Sequence, residues 1–179
     1  PPSEATRALI TQLIPGYFAG IFCPFGISSK VSMFRFDSLD LHLSILEALA
    51  GEGYDTPTPI QEKAIPEALA GQDVLGTAQT GTGKTAAFAL PILNLLDKDQ
   101  PRSDRGPRAL ILTPTRELAI QVDRSFKTYG RKLKLRTAVL VGGVPIKPQI
   151  AQLRRRPDIL VATPGRLLDL VNQREARLD

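Results

Sequence analysis

The residues best suited to chemistry lie in one glycine-rich stretch, Ala78-Gln79-Thr80-Gly81-Thr82-Gly83-Lys84-Thr85. The backbone N–H groups of such a turn, together with the positive end of a following helix, can bind a polyphosphate. Lys84 would reach the β- and γ-phosphates, and the Thr85 hydroxyl would bind Mg²⁺. The two glycines let the backbone approach the phosphates, because neither carries a Cβ. The stretch predicts a nucleotide-phosphate site formed by Thr80, Gly81, Thr82, Gly83, Lys84 and Thr85.

The strict phosphate-loop pattern begins with glycine, where this chain has Ala78. Alanine in place of glycine reduces the conformational freedom of the turn, but every phosphate-binding group remains. The alternative is a chance Gly-Thr-rich turn. However, the motif stands between a strand-like apolar run, Val74–Thr77, and a helix-like run, Ala86–Leu90. We therefore expect a strand, a phosphate-binding turn and a helix in succession.

Further along the chain, short apolar runs alternate with helical patterns. The runs at Ala109–Leu112, Thr137–Val141 and Ile159–Val161 are typical of buried parallel strands. Earlier in the chain, Thr58-Pro59 is expected to start a helix. This alternation predicts an α/β fold with a mainly parallel sheet flanked by helices.

Length and composition are those of one globular domain. The chain has 179 residues, of which 42% are hydrophobic and 23% charged, and a net charge of +5 that favours an anionic partner. One cysteine excludes an internal disulfide. The longest apolar run, from Ile14 to Ile27, is too short to span a bilayer, and its prolines and glycines argue against a secretory signal. We expect a cytoplasmic protein with no membrane contact.

The chain divides into an atypical extension, residues 1–35, and a regular part, residues 36–179. The extension is rich in Pro, Gly and aromatic residues and shows no sustained period. Met33 is the only methionine and would make a natural start. Our hypothesis is that residues 1–32 are an addition to the folded domain.

Five short motifs follow one another in the regular part. They are Phe36 with Gly53-Tyr54…Pro57-Thr58-Pro59-Ile60-Gln61, the stretch 78–85, Pro114-Thr115-Arg116-Glu117-Leu118-Ala119, Gly142-Gly143, and Thr163-Pro164-Gly165-Arg166. In this order they resemble the Q motif and motifs I, Ia, GG and Ib of the DEAD-box RNA helicases. Residues 36–179 are therefore similar to the first RecA-like domain of that family, and residues 142–149 are similar to its bacterial RhlE-like branch.

The resemblance implies an ATP/ADP site with Mg²⁺. Gln61, whose amide offers a donor and an acceptor, would pair with the adenine edge, and Phe36 would stack on the base. The alternatives are a helix-surface glutamine and an ordinary core aromatic. Lys84 and Thr85 would be the catalytic residues, and Thr85 would hold the metal.

The resemblance also implies RNA as a partner, bound through its sugar–phosphate backbone with little sequence preference. The RNA-binding residues would follow the strands, at the usual ligand edge of such sheets. They are Thr115, Arg116, Gly142, Gly143, Thr163, Gly165 and Arg166. The alternative is that the Thr-Pro pairs only cap helices. We interpret the other basic runs, from Arg124 to Arg136 and at Arg154-Arg155-Arg156, as solvated faces.

Two family motifs do not occur in the sequence. It contains no Asp-Glu-Ala-Asp, whose acids would hold Mg²⁺ and position water, and no Ser-Ala-Thr motif. We therefore expect an incomplete RecA-like sheet at the C-terminal end, and a chain that binds adenine nucleotide but hydrolyses little or none. One alternative is a non-catalytic module that binds RNA or a partner; another is a GTPase, although Asn-Lys-x-Asp is absent.

An incomplete sheet would also expose apolar strand edges. Three outcomes are expected from such edges: a domain-swapped homo-oligomer, an edge-paired homo-oligomer, or residues 1–32 filling the gap.

Overall fold

The computed structural model describes the backbone of residues 9–11 and all atoms of residues 35–98 and 106–178. Met33 and the Ile14–Ile27 run lie outside the described residues. The helices are α1 (Leu43–Gly51), α2 (Pro59–Leu69), α3 (Lys84–Lys98), α4 (Arg116–Tyr129), α5 (Ile146–Arg154) and α6 (Pro164–Asn172). The strands are β1 (Leu9–Thr11), β2 (Ala109–Leu112), β3 (Thr137–Leu140) and β4 (Ile159–Ala162), and a 3₁₀ turn, Phe36–Leu39, precedes α1.

The four strands form one parallel sheet in the order β1-β2-β4-β3. The central strand β4 is buried along its whole length, as expected of a strand covered on both faces. Val161 lies opposite Ile111 on one neighbour and opposite Val139 on the other. The predicted α/β fold with a parallel sheet, and the three strands predicted from apolar runs, are confirmed.

Helices cover both faces of the sheet, because successive residues of a strand point to opposite sides. Ile159 and Val161 pack into a core with residues of α1, α3 and α4, among them Ile45, Leu90 and Phe126. Leu160 and Ala162 pack on the other face in a second core with residues of α6. The result, in the described part of the chain, is a three-layer arrangement of helices, sheet and helices.

The strand predicted at Val74–Thr77 does not form. This segment has no sheet partner in the described chain, and the Leu75 side chain is 95% exposed. A strand needs a neighbour for its backbone N–H and C=O groups; without one, water satisfies them. The apolar pattern is typical of a strand, but no partner strand is present in the described structure.

Strand β1, which belongs to the extension, pairs with the edge of β2 that does not face β4. Leu9 lies opposite Leu110 and Thr11 opposite Leu112. Pairing of this kind satisfies an otherwise open row of backbone donors and acceptors. This pairing corresponds to the expectation that residues 1–32 fill the gap beside an exposed strand edge. The domain-swapped and the edge-paired homo-oligomer stay predictions.

None of the helices in the described part of the chain is long and apolar enough to cross a membrane.

Candidate nucleotide and nucleic-acid sites

The glycine-rich stretch forms a turn that leads directly into α3, whose first residues are Lys84 and Thr85. Gly81 and Gly83 have φ angles of +82° and +84°, in the left-handed region that residues with a Cβ adopt only at a cost. The Thr82 hydroxyl donates to the Gln79 carbonyl at 2.8 Å and closes the turn. The predicted order of turn and helix is therefore present, although the strand before it is not.

Lys84 bonds to the turn itself. Its ammonium group donates to the carbonyl oxygens of Ala78 and of Gln79, the latter at 2.8 Å. These two carbonyls occupy two of the three N–H donors of the ammonium. Contact of more than one of these donors with phosphate would require the ammonium to exchange backbone partners for the ligand, a charge-assisted replacement.

Two hydrogen bonds tie the start of α2 to the phosphate turn, and a third, within the start of α2, holds Gln61 in place. The Gln61 Oε1 accepts from the Thr58 N–H at 2.9 Å, and the Gln61 Nε2 donates to the Gly83 carbonyl at 3.0 Å. The Thr58 hydroxyl donates to the Thr82 carbonyl at 2.8 Å. Gln61 is only 2% exposed, so it is not a helix-surface residue. The structure thus brings the predicted base-recognition residue and the predicted phosphate turn into direct contact.

Phe36 lies in the main hydrophobic core and is 4% exposed. It belongs to the 3₁₀ turn, which packs against α2. Stacking on a base requires an open ring face, and so little exposure leaves none free. The burial favours the core role for Phe36, and its contact with a base stays a prediction.

The backbone of the turn is open to a ligand at Gly81 and has no room for a side chain at Gly83. A Cβ built on Gly81 would meet nothing within 4 Å, whereas one built on Gly83 would collide with the Gln61 amide, so the backbone there is kept bare. For a metal, no group of three or more His, Cys, Asp or Glu side chains comes together in residues 35–98 or 106–178. Thr85 would therefore be the residue at this turn that binds Mg²⁺, with phosphate oxygens and water as the other ligands.

A second site is formed by the loops that follow β2, β3 and β4, whose carboxyl ends share one edge of the parallel sheet. Arg116, after β2, lies against Gly143, after β3: a Cβ built on Gly143 would collide with the Arg116 guanidinium. Gly143 has a φ of +69°. Thr115 caps α4 by accepting from the Leu118 N–H at 3.2 Å. Thr115 therefore caps α4 and also lies at the loop edge where it was predicted.

The loop after β4 joins the same cluster. Both Arg166 terminal nitrogens donate to the Val144 carbonyl at 3.3 Å. The Thr163 N–H donates to the Leu140 carbonyl at 2.9 Å, which ties this loop to the end of β3. A Cβ on Gly142 or on Gly165 would meet nothing within 4 Å. The seven residues predicted to bind RNA therefore lie on three neighbouring loops and on the first turns of the helices that follow β2 and β4, with open space at two of the glycines.

One residue of this cluster was missed from the sequence. Gln149, on α5, is 4% exposed and bonds three times to the backbone of the loop after β3. Its Oε1 accepts from the Val141 N–H at 3.0 Å, and its Nε2 donates to the carbonyls of Val141 and Pro145 at 3.2 and 3.1 Å. These bonds hold both ends of the Gly142-Gly143 turn. The sequence contained one indication of this role: Gln149 is a polar residue beside the apolar stripe of Ile146, Ile150 and Leu153.

Comparisons with known proteins identify the family of similar sequences. The sequence profile described as "DEAD/DEAH box helicase" matches residues 58–179. The ATP-dependent RNA helicase CshA of Limosilactobacillus reuteri is 47% identical over 145 residues, and the ATP-dependent rRNA helicase rrp3 of Sclerotinia sclerotiorum is 52% identical over 135 residues. These matches cover 81% and 75% of this chain but only 28% and 27% of the relatives. The chain thus spans about a quarter of the length of these curated relatives.

Two solved structures have the same fold. The hypothetical ATP-dependent RNA helicase from Sulfolobus tokodaii is 42% identical with a TM-score of 0.66, over 74% of this chain and 37% of that one. The RNA helicase Prp28 from Chaetomium thermophilum, solved bound to ADP, is 40% identical with a TM-score of 0.75, over 81% of this chain and 36% of that one. Because the family profile matches more than half of the residues, this chain belongs to the DEAD/DEAH box helicase family.

Proposed function

We propose that this chain is the nucleotide- and RNA-binding part of an ATP-dependent RNA helicase that unwinds or remodels RNA with the energy of ATP hydrolysis. The observation that carries the proposal is the bond between Gln61 and the Gly83 carbonyl, because it joins a base-recognition amide to a phosphate-binding turn. The similar Prp28 was solved with ADP bound, which supports an adenine nucleotide as the ligand here. The loop cluster after β2, β3 and β4 provides the second ligand surface.

The residues at the turn have distinct tasks in this proposal. Lys84 leaves the carbonyls of Ala78 and Gln79 and binds the phosphates. Gln61 keeps its bonds to Thr58 and Gly83 and offers the second hydrogen of its Nε2 and the second lone pair of its Oε1 to the adenine edge. Thr85 contributes a hydroxyl to Mg²⁺, which would neutralise charge on the β- and γ-phosphates. Since Gln61 already contacts Gly83, a movement of Gln61 on binding adenine would act directly on the phosphate turn.

For the 179-residue chain itself, we propose binding of adenine nucleotide with little or no hydrolysis. Phosphoryl transfer needs groups that stabilise developing charge and position the attacking water. The sequence has no Asp-Glu-Ala-Asp, and no carboxylate cluster occurs in the described residues. The same observation favours the second candidate, a non-catalytic module that binds RNA or a partner. ATP turnover well above that of Lys84→Ala would refute both statements.

RNA is proposed to bind across the loop edge through its backbone. Arg116 and Arg166 supply positive charge there, and Gly142 and Gly165 leave space for a sugar–phosphate chain. Contacts of this kind do not distinguish bases, so oligouridylate and oligoadenylate should bind alike. A preference of about ten-fold or more between them would contradict backbone recognition.

The first experiment is an equilibrium titration with ADP and with GDP in the presence of Mg²⁺, on the unmodified chain and on Gln61→Ala. ADP should bind more tightly than GDP, and Gln61→Ala should reduce that difference. Lys63→Ala is a matched control, because Lys63 is exposed on the same helix. Binding of neither nucleotide would mean that the turn is not organised for phosphate in this chain, and equal binding of both would remove adenine recognition.

Three finer assignments belong to the same proposal. Residues 142–149 suggest the bacterial RhlE-like branch; grouping with another branch in a phylogenetic tree would refute it. A cytoplasmic location follows from a helicase that acts on cytoplasmic RNA, and a fluorescent fusion would test it. Homo-oligomers by strand pairing or domain swapping are tested by sedimentation, where a monodisperse monomer is the contrary result.

A further inference from the structure

The structure brings the basic runs interpreted above as solvated faces together around one cleft. The cleft has a volume of about 740 Å³ and lies at the amino end of β3, between the end of α4 and the end of α5. Its rim carries Lys127, Arg131, Arg136 and Arg155. The loop edge described above lies at the carboxyl ends of the strands, so the two surfaces occupy opposite edges of the sheet. We call the first the basic cleft.

The charges of the basic cleft are unbalanced. Lys127 pairs with Asp123 at 2.6 Å, and Arg131 pairs with Glu52 at 3.0 Å. The Arg136 guanidinium instead donates to the Arg155 carbonyl at 3.0 Å, and within residues 35–98 and 106–178 no carboxylate pairs with the side chain of Arg136 or Arg155. None of the described residues that line the cleft is acidic. An anion bound there would relieve the repulsion among these cations.

The interior of the cleft is different from its rim. Half-buried Leu133 and Leu135 form part of the lining, beside the end of the main core at Leu93 and Phe126. The volume lies within the range of about 300–1,000 Å³ that takes ligands of nucleotide size. An apolar floor beneath a rim of arginines suits a ligand that combines flat apolar faces with phosphates.

We infer that the basic cleft is a second RNA-binding surface, which contacts the phosphates of a single-stranded RNA segment with Arg136 and Arg155 and places a base against the apolar floor. This surface is independent of the loop edge and extends the proposed function, on which the inference rests. Each phosphate contact should contribute to the salt dependence of binding.

The test compares two double substitutions with the same loss of charge. Arg136→Gln with Arg155→Gln removes the two cations of the basic cleft that have no described carboxylate partner. Lys63→Gln with Arg177→Gln removes two exposed cations outside it. The probe is oligouridylate of about 12 nucleotides, titrated without nucleotide between about 50 and 300 mM KCl.

The cleft variant should lower the slope of log K against log salt by about 1.4, since each contact with a single strand contributes about 0.7. The control should retain the slope of the unmodified chain. Arg136→Lys with Arg155→Lys keeps the charges and should restore most of the slope, which separates a charge effect from misfolding. Equal slopes for the cleft and control variants would overturn the inference.

Two further arms separate this inference from the proposed function. If Arg116→Gln with Arg166→Gln abolishes binding while the cleft variant does not change it, the loop edge stands and the basic cleft does not. If only the cleft variant loses binding, the cleft stands and the loop edge does not. Displacement of the RNA by polyglutamate at equal charge concentration would show a general polyanion surface and overturn the assignment to RNA.

Discussion

Replacement of Gln149 by leucine should destabilise the domain and disorganise the loop edge. The substitution keeps the size of the side chain but removes three hydrogen bonds to the loop after β3. A typical hydrogen bond contributes about 1 kcal/mol, so the loss should be about 3 kcal/mol in the free energy of unfolding. Because Gln149 is buried, water cannot readily replace the lost partners.

Gln152→Leu is the matched control for this prediction. Gln152 lies one turn later on α5, is half-buried and makes one bond to the strand backbone, from the Val139 N–H at 3.2 Å. Loss of this one hydrogen bond should lower the free energy of unfolding by about 1 kcal/mol. Urea denaturation followed by circular dichroism measures both variants, and a loss of about 3 kcal/mol corresponds to a drop in Tm of roughly 6–12 °C. Equal destabilisation by the two substitutions would refute the reasoning.

Gln149→Leu also has a functional consequence. Its three bonds hold the ends of the Gly142-Gly143 turn, and this turn contacts Arg116. The variant should therefore bind RNA more weakly at a temperature where it is folded. Binding of ADP should be unchanged, because the phosphate turn belongs to a different part of the chain. Weaker ADP binding would mean that the substitution acts on the whole domain.

Two other predictions concern the phosphate turn and the end of α4. Gly83→Ala should weaken ADP binding at least about ten-fold, because its φ of +84° is unfavourable for alanine and the new Cβ would collide with Gln61. Calorimetric titration with ADP checks this, with Gly165→Ala as the control because a Cβ has room there. Equal ADP affinities of the two variants would contradict the prediction. Burial raises the pKa of Tyr129 to about 12. The unfolded chain therefore loses this proton first, and stability should fall above about pH 10, by about 1 kcal/mol at pH 11. Tyr129→Phe should remove this component of the pH dependence, as measured by urea denaturation at about pH 9 and 11; an unchanged pH dependence would refute it.

Local pattern was sufficient to predict the turn before α3 and three of the strands. The stretch 78–85 indicated phosphate chemistry, since the glycines and Lys84 act within a few residues of one another. The apolar runs 109–112, 137–141 and 159–161 indicated buried strands, because burial on both faces demands apolar residues throughout. Both inferences need only the order of neighbouring residues, which the sequence states directly.

The contact of Gln61 with the phosphate turn became visible only in the tertiary structure. The sequence showed an amide near a predicted helix start, but its bond to the Gly83 carbonyl joins residues 22 positions apart. Gln149 was missed for the same reason: only the position of α5 against the loop after β3 makes it a structural residue. Hydrogen bonds between distant segments depend on packing geometry, and local residue patterns do not specify it.

Residue order alone was therefore enough to specify the alternation of strands and helices and the positive net charge of the chain, and to predict a phosphate-binding turn. Which of these features meet depends on the packing of distant segments. Val74–Thr77 has a strand pattern but forms no strand, because pairing needs a neighbour that local sequence cannot supply. Arg136 and Arg155 stand 19 residues apart, yet they share one cleft because β3 and the end of α5 meet there. The reason is physical: patterns of burial are local properties, whereas strand pairing and charge clustering are relations between distant segments.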